Sequence, residues 1–174
     1  MREIQLYKRA VSCQTCGWLR TARSYATCKF TEEIAIVPQA FNPPDVVQPF
    51  GIFSSAAWQA EGRVLHLSGQ VAQAADGSAV GIGDIEAQTR QVLDNLAQVL
   101  ASVGGRLDDI VKVTVFVTDI AHLDQIHRVR AEYFTPPYPA STLVEVSRLV
   151  QPEYLIEIDA VASIPYERVQ EPAP

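Results

Sequence analysis

Residues 104 to 119 read Gly-Gly-Arg-Leu-Asp-Asp-Ile-Val-Lys-Val-Thr-Val-Phe-Val-Thr-Asp, and this stretch decides the fold class. Gly104 and Gly105 are typical of a helix end, where a residue in the left-handed conformation closes the last turn. From Val111 to Thr118 apolar residues alternate with Lys and Thr, as they do along a strand. The stretch therefore predicts a helix that ends here and a central strand that follows it.

Apolar residues with helical spacing both precede and follow this strand in the sequence. Before it, apolar residues recur every three or four positions over residues 84–103, which predicts one amphipathic helix. After it, a second apolar face covers residues 123–134, and Thr118 and Asp119 are candidate N-caps. Pro136-Pro137 ends this second helix because proline does not continue a helix. Two helices are therefore predicted around one central strand.

Four further strands are predicted from short apolar runs bounded by turn residues: 55–59, 64–70, 142–146 and 154–162. The turn Ala60-Glu-Gly-Arg63 predicts a hairpin between the first two. Residues 41–49 contain Pro43, Pro44 and Pro49, so we expect an extended lead-in along the surface. The order ββαβαββ predicts an α+β fold, with one mixed sheet and both helices on one face.

The second face of this sheet needs a cover. Apolar residues lie on both faces of the strands that begin near Val111 and Tyr154, yet the sequence predicts no third helix. A neighbouring subunit is the economical source of cover, so the pattern predicts an oligomer.

Composition limits the classes of partner. The chain has 174 residues, 48% of them hydrophobic, and a formal net charge of −6, which suits one compact domain. No apolar run approaches the roughly 20 residues that a membrane-spanning helix needs. An acidic chain lacks the basic surface that is typical of nucleic-acid binders. We therefore expect a cytoplasmic protein with a small-molecule partner and neither a membrane nor a nucleic-acid partner.

The first thirty residues differ in composition from the rest. Residues 1–32 contain six Lys or Arg against two Glu, and they hold all three cysteines, Cys13, Cys16 and Cys28. We expect no metal there, because a structural zinc site needs about four ligands. We assign residues 1–35 to a poorly ordered extension, 36–165 to the folded domain and 166–174 to a tail. A second interpretation of the same break is a natural start near Glu33.

Six segments in this order resemble the Rid/YjgF family: Asn42-Pro-Pro44, Leu67-Ser-Gly-Gln70, Asp84 through Arg90, Asp94-Asn-Leu96, Asp109 through Asp119, and Pro139-Ala140 with Val144-Glu-Val146. The resemblance covers about residues 36–163. It implies a chorismate-mutase-like fold, a homotrimer and a ligand cleft at each subunit interface. Members similar to RidA hydrolyse reactive enamines and imines to a keto acid and ammonia without a cofactor, which implies that reaction class and no cofactor here.

The resemblance implies two catalytic residues. Glu157 aligns with the glutamate that holds the hydrolytic water in RidA-like members, and His127 stands where an asparagine is usual. A histidine and a carboxylate can share general acid and base duties on water. Two simpler interpretations stay open: Glu157 as the solvent-side residue of an alternating strand, and His127 as an exposed helical residue.

The implied substrate-binding residues are Ser141, Thr142, Ser68, Gly69 and Phe53. In RidA-like members an arginine follows Pro-Ala and binds the substrate carboxylate, whereas here Ser141 follows Pro139-Ala140. One neutral hydroxyl does not replace two parallel charge-assisted hydrogen bonds. We therefore expect a substrate without that carboxylate, and we expect Ser141→Arg to raise activity on 2-aminoacrylate. Ser141 and Thr142 can also be strand-entry hydroxyls that bond the local backbone.

Three functions remain open at this point. The first is a hydrolase of the deaminase type, and the second is a trimer that binds a small metabolite without chemistry. A nuclease or translation inhibitor is the least favoured, since the acidic body shows no basic stripe with interleaved aromatic residues.

Overall fold

The computed structural model describes residues 38–172, and its main sheet has four strands in the order β3-β6-β4-β5. These strands are Arg63–Val71 (β3), Ile110–Val117 (β4), Ala140–Glu145 (β5) and Ile156–Ile164 (β6). β4 pairs antiparallel with β6 and parallel with β5, so the sheet is mixed. The predicted α+β class is confirmed.

Two helices pack on one face of this sheet: Ile85–Ala101 (α1) and Leu123–Tyr133 (α2). Asp84 caps α1, because its carboxylate accepts hydrogen bonds of 3.0 Å from the backbone N–H groups of Glu86 and Ala87. Gly104 has a φ of +81° just beyond the helix, as predicted for its end. Asp119 caps a short 3₁₀ turn, Ile120–His122, that leads directly into α2.

The hydrophobic core lies between the helices and the sheet. Fully buried side chains from α1 meet every second residue of β4 and β6; they include Val92, Leu96, Leu100, Val113, Val115, Ile156 and Ile158. Burial of each such side chain is worth about 1.5–3 kcal/mol relative to exposure. The buried Gln88 amide donates to the Glu153 carbonyl at 2.7 Å and accepts from the Leu155 N–H at 2.8 Å. This pair of bonds ties α1 to the start of β6.

The predicted hairpin between residues 55–59 and 64–70 is wrong. A separate two-stranded sheet pairs Ala56–Trp58 (β2) with Gln39–Phe41 (β1), which begins before the proline-rich lead-in. β3 pairs instead with β6. Both β3 and β6 have nine residues, so this long-range pairing forms many more backbone hydrogen bonds than a hairpin with the short β2 could form.

The sheet face opposite the helices is not covered by any part of residues 38–172. Its side chains are only partly buried; they include Lys112, Thr114, Phe116, Glu157, Asp159 and Val161. The helix-side neighbours Val113, Val115 and Ile158 are, by contrast, at most 1% exposed. Within the same residues, neither helix is long and apolar enough to cross a membrane.

Candidate functional site

Glu157 lies on β6 opposite Val71 of β3, beside a bulge between Leu67 and Gln70. A Cβ atom placed on Gly69 would overlap Oε1 of Glu157, so glycine at this position allows the carboxylate to lie where it does. The Glu157 side chain is half-buried, and the hydrogen bonds and ion pairs within residues 38–172 leave its oxygens without a partner. Gly69 and Glu157, together with Ser68, which precedes Gly69 in the chain, are called the Glu157 cluster below.

A second group of predicted residues lines a cavity of about 200 Å³ between α2, β5 and the segment before β2. Its lining consists of Phe50, Phe53, Ile120, Leu123, His127, Arg130, Ser141 and Leu143. This cavity, called the Arg130 pocket below, therefore brings together Phe53, His127 and Ser141. Most of its wall is apolar, and three polar side chains converge on it.

His127 is packed against the loop that precedes β2. A Cβ atom on Gly51 would overlap the imidazole ring, so the loop approaches the ring directly. Burial, followed by the positive charge of Arg130, lowers the pKa of His127 below its ordinary value of 6.5, and Asp124 opposes this only in part. The imidazole is therefore neutral at neutral pH and can accept or donate a proton.

Sequence reasoning missed Arg130, which is only 1% exposed. Its Nη2 atom lies 3.4 Å from Oγ of Ser141, and its Nε atom has no hydrogen-bond partner. Burial lowers the pKa of Arg130 to about 10, so the guanidinium stays charged at neutral pH. One signal was available in the sequence: Arg130 follows Ile126 by four residues and so shares the buried face of α2.

Residues 45–164 match the family model described as Endoribonuclease L-PSP. The chain belongs to the Rid/YjgF family. A RutC family protein of Pyrococcus horikoshii is 40% identical over 115 residues, which cover 66% of this chain and 89% of that protein. The structure of the Rid family protein YyfB from Yersinia pestis, titled as of unknown function, matches with 39% identity and a TM-score of 0.68 over 73% of this chain and 98% of that one.

RidA from an Antarctic Psychrobacter species shares the fold as well, with 26% identity and a TM-score of 0.56 over 72% of this chain and 99% of that one. The sequence predicts that Ser141 takes the place of the carboxylate-binding arginine of RidA-like members, and this stays a prediction. In this chain, a guanidinium nevertheless lies beside position 141, and it comes from α2 rather than from β5.

Thr142 lies apart from the Arg130 pocket. Successive strand residues point to opposite faces, and the Thr142 hydroxyl accepts a 2.7 Å hydrogen bond from Nζ of Lys112 on the uncovered face. Burial is the main cause that lowers the pKa of Lys112. Thr142 is not among the residues that line the Arg130 pocket.

A single chain does not bring the Arg130 pocket and the Glu157 cluster together. Ser141 pairs with Val113 of β4, which pairs with Ala160 of β6, and Glu157 lies three residues further along. Two strand spacings and three residues correspond to about 10 Å in each direction. Glu157 also lies on the uncovered face of the sheet, whereas Ser141 lies on the helix side.

The described part of the chain, residues 38–172, contains no group of three or more His, Cys, Asp or Glu side chains placed to hold a metal ion. Cys13, Cys16 and Cys28 lie outside these residues, so the expectation of no metal at the cysteines stays a prediction.

Proposed function

We propose that this Rid/YjgF member is a cofactor-independent hydrolase of the deaminase type, which acts on a small imine or enamine in a cleft between two subunits of a homotrimer. One observation carries the proposal. The Glu157 carboxylate is held over Gly69, partly open to solvent, and unpaired within residues 38–172. A carboxylate without a cation partner is free to accept a proton from water.

The reaction assigned to this carboxylate is addition of water to a C=N bond. Glu157 removes a proton from water as the oxygen attacks the carbon of the protonated imine, which gives a carbinolamine. Glu157 then returns this proton to the nitrogen, the C–N bond breaks as the hydroxyl proton passes to the leaving ammonia, and ammonium leaves with a carbonyl product. Positioned general acid–base catalysis of this kind contributes typically about 10²- to 10⁴-fold. In the proposed trimer, the neutral imidazole of His127 exchanges protons with the substrate in the cleft that a neighbouring subunit's Glu157 also lines.

Assembly is required because the two groups of site residues are apart in one chain. The uncovered face carries Glu157 together with partly buried apolar side chains such as Phe116 and Val161. A second copy that covers this face would also bring an Arg130 pocket toward a Glu157 cluster. Sedimentation at micromolar concentration should therefore show a trimer, and a stable monomer would contradict this part of the proposal.

The catalytic test uses imine released in place by a pyridoxal-phosphate enzyme and follows the loss of the imine signal. Glu157→Gln keeps the size of the side chain and removes the base, so the rate should fall by about 10²- to 10⁴-fold. Glu61→Gln is the matched control, because Glu61 is exposed in a turn far along β3 from the bulge. A trimer without wild-type turnover on any imine would instead identify a binding protein.

A further inference from the structure

Arg130 is a buried cation for which residues 38–172 provide no counter-charge. Its side chain is 1% exposed, and Nε has no hydrogen-bond partner. Nη2 donates only to the neutral hydroxyl of Ser141, over a long 3.4 Å. A buried charge that is neither paired nor fully hydrogen-bonded is costly. Some further group must therefore compensate it when the protein functions.

Asp109 is a buried charge in the same fold that has a structural role, and it has charged and hydrogen-bonding partners. Asp109 is 0% exposed, and its carboxylate accepts hydrogen bonds from the Arg168 guanidinium and from the backbone N–H of Arg106. Arg130 has no comparable acid within the described residues. The ring of Phe134, whose centre lies 5.9 Å from the guanidinium carbon, is a weak partner beside a carboxylate.

The surroundings of Arg130 define what kind of group fits. The Arg130 pocket has a volume of about 200 Å³, and its wall is apolar apart from His127, Arg130 and Ser141. Because the imidazole is neutral, Arg130 supplies the one positive charge on this lining. A molecule with one anionic group and a small apolar body matches a pocket of this size, charge and polarity.

We infer that Arg130 binds the carboxylate of the substrate in this pocket, reaching it from α2 rather than from the β5 position that Ser141 occupies. A guanidinium presents two parallel N–H donors that match a carboxylate, and the Ser141 hydroxyl adds a further donor. The part of the inference that concerns the reaction rests on the proposed function. It limits the substrate class to small imino or enamino carboxylic acids. It thereby replaces the expectation that the substrate lacks a carboxylate.

Binding of pyruvate tests the inference without any need for turnover. Pyruvate is the keto acid that hydrolysis of 2-aminoacrylate leaves, and methyl pyruvate is the uncharged control. Calorimetric titration of the full chain should show that Arg130→Met weakens pyruvate binding by about ten- to a hundredfold, because a charged hydrogen-bonded pair is lost. Arg130→Lys should weaken pyruvate binding less, since lysine keeps the positive charge and lacks only the two parallel N–H donors of the guanidinium. Methyl pyruvate should bind equally weakly to all forms.

The matched control is Arg128→Met on the same helix. Arg128 is exposed and paired with Glu86 at 2.7 Å, so its loss should leave pyruvate binding unchanged. Arg130→Met should keep or raise the melting temperature, because it replaces an uncompensated buried charge by an apolar side chain of similar length. If that variant does not fold, Arg130→Lys carries the test, with weaker pyruvate binding at an unchanged melting temperature as the expected result.

Two outcomes overturn the inference. One is pyruvate binding that is unchanged in both Arg130 variants. The other is a wild-type protein that does not bind pyruvate at millimolar concentration. In that case, dissociation of the assembly by Arg130→Met would show that a side chain of another subunit is the counter-charge of Arg130. Glu157→Gln separates the inference from the proposed function, since it should lose hydrolysis and retain pyruvate binding. Wild-type binding of pyruvate without hydrolysis of any imine would leave the inference standing and remove the proposed reaction.

Discussion

Glu157 reaches from β6 across Gly69 of β3, and a methyl group on Gly69 would overlap its Oε1 atom. The overlap involves the far end of a flexible side chain, so the carboxylate can move aside while the backbone stays in place. Gly62, directly before β3, differs because a Cβ atom there would overlap the backbone carbonyl of Ile164. The two glycines therefore separate an effect on the site from an effect on folding.

Gly69→Ala should lower imine hydrolysis by at least about tenfold, because it displaces the proposed base from its water. The melting temperature should change by no more than about 2 °C, since no backbone atom has to shift. Gly62→Ala should lower the melting temperature clearly more. Thermal unfolding and the coupled hydrolysis assay measure the two effects. Full activity of Gly69→Ala would show that the position of Glu157 over this glycine does not matter for the reaction.

Ser141→Arg is expected from the sequence alone to raise activity, but the buried Arg130 reverses this expectation. A second guanidinium at position 141 would be placed next to the first in the same pocket, where two like charges repel and both lose hydration. The single variant should therefore be less stable than the wild type. The double variant Ser141→Arg with Arg130→Met should recover stability and pyruvate binding. A single variant that is as stable as the wild type and more active would contradict the role given to Arg130.

Because of His127, the free energy of unfolding should depend on pH in the mildly acidic range. Burial and the charge of Arg130 lower its pKa in the folded state below 6.5, with Asp124 opposing. The unfolded chain therefore binds the proton more readily, and the contribution of His127 is complete above about pH 6.5. It is lost as the pH falls from there toward the folded pKa. His127→Gln should flatten this part of a plot of melting temperature against pH, and equal slopes for both proteins would contradict the prediction.

Arg168 pairs with the fully buried Asp109, so Arg168→Ala should be strongly destabilising. Removing one partner of a buried ion pair leaves the other charge uncompensated and typically costs about 3–5 kcal/mol. Arg63→Ala is the control, because the Arg63 and Glu171 side chains are 60% and 80% exposed and such pairs are worth about 0–1 kcal/mol. Urea unfolding at neutral pH measures both losses. Similar small losses would show that Asp109 does not need Arg168.

Local features of the fold were predictable because their causes lie within a few residues. The Asp84 cap, the glycine end of α1 and the alternation of β4 each follow from side chains close in sequence. Pairing between β2 and β1 was not predictable in this way. The pairing depends on whether β3 finds a longer partner in β2 or in the distant β6. The turn at residues 60–63 carries no information about this choice.

The features of the candidate site likewise separate into those that the sequence predicts and those that only the structure reveals. The sequence by itself determined the family and the α+β class, because ordered motifs and short-range periodicity suffice for these, and it predicted Glu157, His127 and Ser141 as site residues. Only the tertiary structure decided that Arg130 is buried beside Ser141 and that Glu157 lies apart from both. Burial and convergence are properties of the packed helices and strands, so the charge of a side chain read from the sequence does not tell whether water or an apolar pocket surrounds it.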